Sequence, residues 1–483
     1  MLQKHIISCR HALQQWWHQI YPPSARCFGK PRLDYPQWRL PRFVRYCSVS
    51  MSYYHFFRAL NWNAFPQLIP TEKQFQTTTP HTSFLLACLI KLDKQMPYMS
   101  HLRQYLCDHP GLVWLLGFRL VASRHFPWGF DADASLPTAR HFTRLLRQLP
   151  HTLFQSLLDE SVRLLREALP DEITDFGQAI SLDTKHILAW VKENNPKAYV
   201  EDRYDKDKQP SGDSDCKLGC KKRHNQHGNP EQTPTHNPDA ASHVQVGEFH
   251  WGYASGVVAT KVPEWGEFVL AELTQTFDKA DVSYFLPLME ATEKRLGSRP
   301  HFGAFDAAFD AHYVYAYFHR SEQAWQTAFA AVPYNKRNGK RKQFDEQGHP
   351  YCEAQLVMTL GYQFTSRATL YEHQRDHYVC PIKDTQPECP VAHKRWAKGG
   401  CTTRLPSGIG SRVRHQIERD SDLYKGIYKQ RTATERINAQ AVALGIERPK
   451  LRNRHAIANQ NTLIYVLINL RAWRRICQKK ATQ

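Results

Sequence analysis

Between residues 83 and 170 apolar side chains return every three or four positions, in SFLLACLIKL, LVWLLGFRLV, ARHFTRLLRQL and LFQSLLDESVRLLREAL. That spacing lines one face of an α-helix, so a set of helices is predicted here. Thr138 or Pro137 suits the opening of the third helix and Pro150 its end. At residue 178 the pattern changes. QAISLD reads as a short buried strand, and residues 201–243, polar and rich in Asp, Lys, Pro, Gly, His and Asn, read as a long flexible loop. HWGYASGVVATKV and EFVLAELTQ are predicted as two strands joined by a turn at Pro263–Gly266. DVSYFLPLMEATEKRLG then reads as a helix capped by Asp281, HFGAFDAAFD as a strand ending in acids, HYVYAYFHR as a helix, and QAWQTAFAAVPY as a further strand. Residues 335–420 are polar, contain cysteines and show little periodicity, and two helices near 424–444 and 456–476 close the chain.

Three strands, a helix, a strand, a helix and a strand is the element order of a ribonuclease H-like fold. The expected class is therefore α/β: a mixed-sheet core, an insertion before the last helices, and a helical region in front. At 483 residues the chain is long enough for two or three domains.

Charge narrows the partner. Sixty-four Lys and Arg against 45 Asp and Glu leave +19, with a pI near 9.4. Such a balance attracts polyanions, nucleic acid first among them. The basic residues gather at residues 1–50, at 441–483, and in a Gly-containing loop with Lys336, Arg337, Lys340, Arg341 and Lys342. Three such regions read better as a nucleic-acid footprint than as solvated faces. No apolar run reaches the ~18 residues of a membrane span, and the first twenty residues have no unbroken apolar stretch of the signal-peptide kind. A cytoplasmic, nucleoid-associated protein without a membrane partner is expected.

The acids suggest the chemistry. Two-metal phosphodiester cleavage needs carboxylates that hold both ions roughly 3.5–4 Å apart. Mg²⁺ takes oxygen ligands and keeps several waters, so two or three acids suffice. Asp183 is expected at the end of the first strand and Asp306 at the end of the fourth, which are neighbours in such a sheet. Glu435 falls on a helix, with Tyr428 and Arg431 spaced to share its face.

These residues carry a resemblance. YKQRTATE, from Tyr428 to Glu435, resembles the tyrosine–arginine–glutamate signature of bacterial insertion-sequence DDE transposases. GAFDAAFDA around Asp306 is similar to their second-aspartate motif and SLDTKH at Asp183 to their first. The resemblance covers about residues 80 to 475. It implies a Mg²⁺-dependent endonuclease and strand transferase working in transposition and DNA recombination. Two Mg²⁺ ions, with Mn²⁺ able to substitute, would lie on Asp183, Asp306 and Glu435. The partners would be double-stranded transposon terminal repeats and target DNA, bound by a homodimer. The implied layout is a basic N-terminal region (1–80), a helical DNA-binding domain (81–175), the first part of the core (176–334), a Cys-containing insertion (335–420), and helices completing the core (421–483). Tyr428, Arg431, Lys336, Arg337, Lys340, Arg341, Lys342, Lys450 and Arg452 would contact DNA. In one departure, the signature Lys two turns beyond the Glu is Val442, and Lys450, Arg452 or Arg454 is left to supply its contact.

Two other readings stand beside this one: a DNA-binding protein derived from such an enzyme but inactive, and a metal-dependent nuclease that cuts without joining. Cys352, Cys380, Cys389 and Cys401 in the insertion could hold a structural Zn²⁺, with His373, His377 and His393 able to complete a mixed site. The alternative is four reduced, partly buried thiols. CKLGCKKRHNQH offers a second, smaller knuckle through Cys216, Cys220, His224 and His227, or a basic loop on DNA.

Overall fold

The computed structural model describes residues 31–62, 65, 81–125, 127–220, 249–320, 325–335, 341–367 and 370–482. Two compact units are present. The first comprises Met1–Leu164 with Thr462–Leu470, the second Leu165–Asn461 with Arg471–Gln483.

The first unit is helical. Its principal helices are α1 (Ser48–Phe57), α2 (His81–Asp93), α3 (Met99–Asp108), α4 (Pro110–Leu115), α5 (Ala139–Gln148) and most of α6 (His151–Ala168). Helix α2 is buried all round from Ser83 to Leu92, as a helix without a polar face must be. Residues Thr462–Leu470, equally apolar, are also buried. Thr138 caps α5, its hydroxyl accepting the His141 N–H at 3.2 Å, as expected. LVWLLGFRLV, expected as one helix, is helical only to Leu115. Gly117 takes φ +86°, and the Gly117 and Phe118 N–H groups turn back to the Trp114 and Val113 carbonyls, a glycine-dependent helix stop. Helix α3 lies in the predicted helical stretch but between its named segments, and α1 was not foreseen.

The second unit holds a mixed α/β core. Its strands are β1 (Ala179–Leu188), β2 (Lys217–Cys220), β3 (Phe249–Val262), β4 (Gly266–Thr276), β5 (Phe302–Ala304) and β6 (Phe329–Ala331). The sheet runs β4–β3–β1–β5–β6, with short β2 also paired to β3. β3 is antiparallel to β1 and β4, whereas β5 is parallel to β1 and β6 parallel to β5. β3 is buried along nearly its whole length, which explains why its sequence does not alternate between apolar and polar. Helices α7 (Phe285–Leu296) and α8 (His312–Phe318) occupy the connections from β4 to β5 and from β5 to β6.

Between residues 335 and 420 the chain forms a second, three-stranded antiparallel sheet: β7 (Thr359–Ser366), β8 (His373–Val379) and β9 (Thr402–Pro406). Helix α9 (Gly410–Gln416) then returns against α8 so closely that a Cβ on Gly410 would overlap the His312 carbonyl oxygen. Buried Arg414 of α9 makes a bidentate pair with Asp310, both contacts at 2.6 Å, and Asp310 also accepts the Tyr315 hydroxyl and the Asn335 N–H. Although burial opposes it, these donors hold the Asp310 carboxyl below its ordinary range. The second aspartate of GAFDAAFDA therefore fastens the returning chain to the core. Helices α10 (Asp422–Tyr428), α11 (Thr432–Ala443) and α12 (Arg454–Thr482) complete the chain. Among the described residues no helix is long and apolar enough to cross a membrane.

Several expectations change. Part of the predicted 201–243 loop is strand β2, and residues 221–248 lie outside the described residues. The helix expected at 424–444 is interrupted by a 3₁₀ turn at Lys429–Arg431. Asp281 does not cap α7. It opens a 3₁₀ turn, and its carboxylate accepts the Thr184 hydroxyl of β1 at 2.7 Å. β5 and β6 are three residues each, shorter than the segments predicted for them.

Candidate active site

Asp183 lies in the middle of β1, not at its end, because β1 stays paired with β3 as far as Leu188. Its pairing with β5 stops earlier, at Ser181 opposite Ala304. Two residues further on, one strand carries Asp183 and the other Asp306. Parallel register thus brings the two aspartates side by side where the strands part. Asp183 accepts the Thr184 N–H at 2.9 Å, and Asp306 caps a 3₁₀ turn by accepting the Ala308 N–H at 2.9 Å. Both carboxylates are half-buried.

The turn Lys429–Arg431 packs on β1 and β5, and α11 packs on β1, β3 and β4. This carries Arg431 to the aspartates, with Glu435 beside it on the next turn as its partner. Arg431 pairs with Glu435 at 2.5 Å, and its charge acts on both Asp183 and Asp306. One turn beyond Glu435, Asn438 donates to Asp183 Oδ2 at 3.2 Å, while its own buried Oδ1 has no hydrogen-bond partner. Tyr428 is half-buried and stacks on Tyr424, with ring centroids 6.0 Å apart.

The electrostatics are lopsided. Burial, the neighbouring Asp306 charge and Asp281 push the Asp183 carboxyl up to about 6, against the opposing pull of the Thr184 N–H and Arg431. Burial and Asp281 also raise Asp306. Asp183, Asp306 and Glu435 thus share the Arg431 guanidinium while Asp281 adds its charge to both aspartates, and this excess of negative charge suits a cation. All donors are oxygens, the set that Mg²⁺ prefers, and the orphaned Asn438 Oδ1 is a further acceptor. Among the described residues no three His, Cys, Asp or Glu side chains stand at ready-made ligand spacing. Arg431 is the countercharge for the acids in this arrangement.

The remaining predicted residues are dispersed. Lys336, Arg337 and Lys340 lie outside the described residues. Arg341 is exposed and donates to the His415 carbonyl at 3.0 Å. Lys342 was expected in an outward basic loop, but it is half-buried with its ammonium near Cys401 and Glu353. Lys450 and Arg452 converge on the exposed ring of Trp190, at 5.6 Å and 5.1 Å from its centroid. Val442, in the place of the signature lysine, is exposed. In the smaller knuckle Cys216 is fully buried and donates to the Asp213 carbonyl at 3.3 Å, and Cys220 is exposed. His224 and His227 lie outside the described residues.

Sequence reasoning missed Asp281, Asn438 and Trp190. Asn438 was the accessible one, since position i+3 from Glu435 falls on the same helix face. Asp281 gave no local signal, because its partner Thr184 is 97 residues away.

The chain matches no protein-family model and no curated protein.

Proposed function

We propose that this chain is a DNA transposase that cuts at element ends and joins the cut ends to target DNA. One observation carries the reading: Asp183 on β1 and Asp306 just past its parallel neighbour β5, with Arg431 brought to both by the turn that packs on those strands and paired there with Glu435. The strand order β4–β3–β1–β5–β6 supports it, being the order of a ribonuclease H-like sheet. Asp183, Asp306 and Glu435 are the residues that would hold two Mg²⁺ ions, or Mn²⁺ in their place. When bound, the ions supply an activated nucleophile and neutralise charge on the scissile phosphate.

The protein's own groups have separate tasks. Asn438 orients Asp183 through its amide, and Thr184 holds Asp281 beside the pair. Arg431 offers a planar pair of donors for a phosphate, which suits Arg better than Lys. Trp190 with Lys450 and Arg452 forms a cationic aromatic patch that fits a nucleic-acid strand. Because paired ends must be processed together, the active form is a homodimer on DNA, at the nucleoid.

The test is Mg²⁺-dependent nicking and joining of a labelled element-end duplex by wild type, Asp306→Ala and Glu435→Ala. Joined product from wild type alone, at equal DNA affinity, supports the reading. Cutting without joining makes the protein a nuclease, and tight binding without cutting in Mg²⁺ or Mn²⁺ makes it a binding protein.

A further inference from the structure

The three-stranded sheet of the insertion has almost no core. Among the described residues between 341 and 406, the buried hydrophobic side chains are Met358, Tyr378 and Cys380, with Pro350 beside them. β7 presents mostly exposed positions. So little apolar burial does not ordinarily hold three strands together, and small domains in that position use a disulfide or a metal.

Three cysteines gather at one end of this sheet, although, like the acids, they do not stand at ready-made ligand spacing. The last β8–β9 pair is Val379 opposite Thr402, so the next cross-strand position sets Cys380 opposite Cys401. Gly400, at φ +83°, lets the two approach: a Cβ there would lie 2.8 Å from Cys380 Cβ and 3.4 Å from its Sγ. Burial, Cys380 and Cys352 together push the Cys401 thiol up to about 12, so the three thiols act on one another. Cys352 comes from the tip of the preceding hairpin, where its N–H donates to the Leu356 carbonyl at 2.9 Å. Lys342 places an ammonium near Cys401, and with the thiol itself held high by burial its proton leaves only when a metal replaces it.

Cys389 lies on the excursion between β8 and β9 and shares a local conformation with Cys352. The Cys352 carbonyl accepts from the Gln355 N–H, and the Cys389 carbonyl accepts from the Ala392 N–H. Both fourth residues have positive φ, +58° at Gln355 and +47° at Ala392. A non-glycine residue in that region is uncommon, and the same turn at two cysteines is more so.

We propose that this end of the sheet is a structural Zn²⁺ site in which Cys352, Cys380 and Cys401 are ligands and Cys389 closes the tetrahedron. Binding releases the thiol protons to solvent and leaves four thiolates on one ion. The site staples the hairpin, β8 and β9, replacing the core the insertion lacks. It is separate from the oxygen-rich acid site and does not depend on the transposase reading.

The test uses the full chain, purified under reducing conditions without chelator. Metal analysis is expected to find one zinc per chain. Cobalt titrated into the reduced apo-protein is expected to give the visible bands and sulfur charge-transfer absorption of tetrahedral cobalt thiolate. Such absorption cannot come from the carboxylates. Cys380→Ser and Cys401→Ser should lose it, Cys389→Ser should lose one thiolate's share, and Cys477→Ser should leave it unchanged. The wild-type spectrum decides the matter even if a variant fails to fold. Absence of thiolate–cobalt absorption in reduced wild type, or a Cys380–Cys401 disulfide in the protein as isolated, would overturn the proposal. Full absorption retained in Cys389→Ser would overturn the assignment of the fourth ligand.

Discussion

Asp183→Asn is the substitution whose effect can be worked most fully, because it removes one charge and almost no volume. In the folded chain this carboxyl titrates at about 6, raised first by burial and then by the charges of Asp306 and Asp281. Its ordinary value is 3.8. The folded state therefore binds the proton more tightly than the unfolded chain, so folding is favoured at low pH. Stability falls as pH rises from about 4 to about 6, and above that the ionised group costs about 3 kcal/mol. An amide carries no such penalty. It also finds partners: its oxygen can accept the Thr184 N–H, and Asn438, by turning its side-chain amide, can present its unpartnered Oδ1 to the new NH₂.

In chelator at pH 8 the variant should be more stable than wild type by about 2–3 kcal/mol, an increase of roughly 3–5 °C in the melting temperature of the larger unit. The advantage should shrink through pH 6 and vanish near pH 4. Mg²⁺ should reverse the order at pH 8, because ligand binding stabilises only a chain that binds it. Thermal melts of both proteins across this pH range, with and without Mg²⁺, make the measurement. A variant less stable than wild type at pH 8 in chelator, or a difference that does not change with pH, would refute the account of Asp183.

Asp281→Asn should weaken Mg²⁺ binding in calorimetry, because it removes a carboxylate that acts on both aspartates; unchanged affinity would exclude Asp281 from the site. Asp310→Asn or Arg414→Met alone should cost about 3–5 kcal/mol in denaturant unfolding by stranding a buried charge. The double variant should cost less than the two losses added. Lys450→Gln with Arg452→Gln should lower the slope of log affinity against log salt for duplex DNA by about 2. No change in slope would show that these cations serve only to cover Trp190.

How much was legible follows from where the information resides. β3 and β4 were visible because a continuous buried run and a turn at Pro263–Gly266 are local signals. β5 and β6 are too short to show a period, and only the acids after β5 and the surrounding element order marked them. Asp183 was placed at a strand end because the apolar run stops at Leu182. Backbone pairing with β3 continues regardless of side-chain polarity, and sequence pattern does not report it. The break at Lys429–Arg431 was invisible, since a 3₁₀ turn between two helices leaves the three- and four-residue spacing of Tyr428, Arg431 and Glu435 nearly intact. The insertion sheet escaped notice because β7 is exposed on both faces, so no alternation is required of it. Asp281 was misread because an acid before a helix has a local explanation, capping, and its actual partner is tertiary.

Arg431 joins these threads. As an exposed i,i+4 pair, its bond to Glu435 is worth only about 0.3–0.5 kcal/mol. Its larger effect is the field it places on Asp183 and Asp306, lowering both against burial. Under the two-metal reading that arrangement is a resting state. Arg431 balances the acids, and because the pair sits on successive turns it can separate by side-chain rotation alone. Separation frees Glu435 for its ligand role and Arg431 for phosphate in one movement. Arg431→Gln tests this. Without the guanidinium, the proton on Asp183 should be held more tightly, and the pH at which Asp183→Asn gains its stability advantage should move above 6. DNA binding should weaken in the same variant. A midpoint that stays in place while DNA affinity falls would mean that Arg431 serves DNA alone and that the acids are balanced by another group.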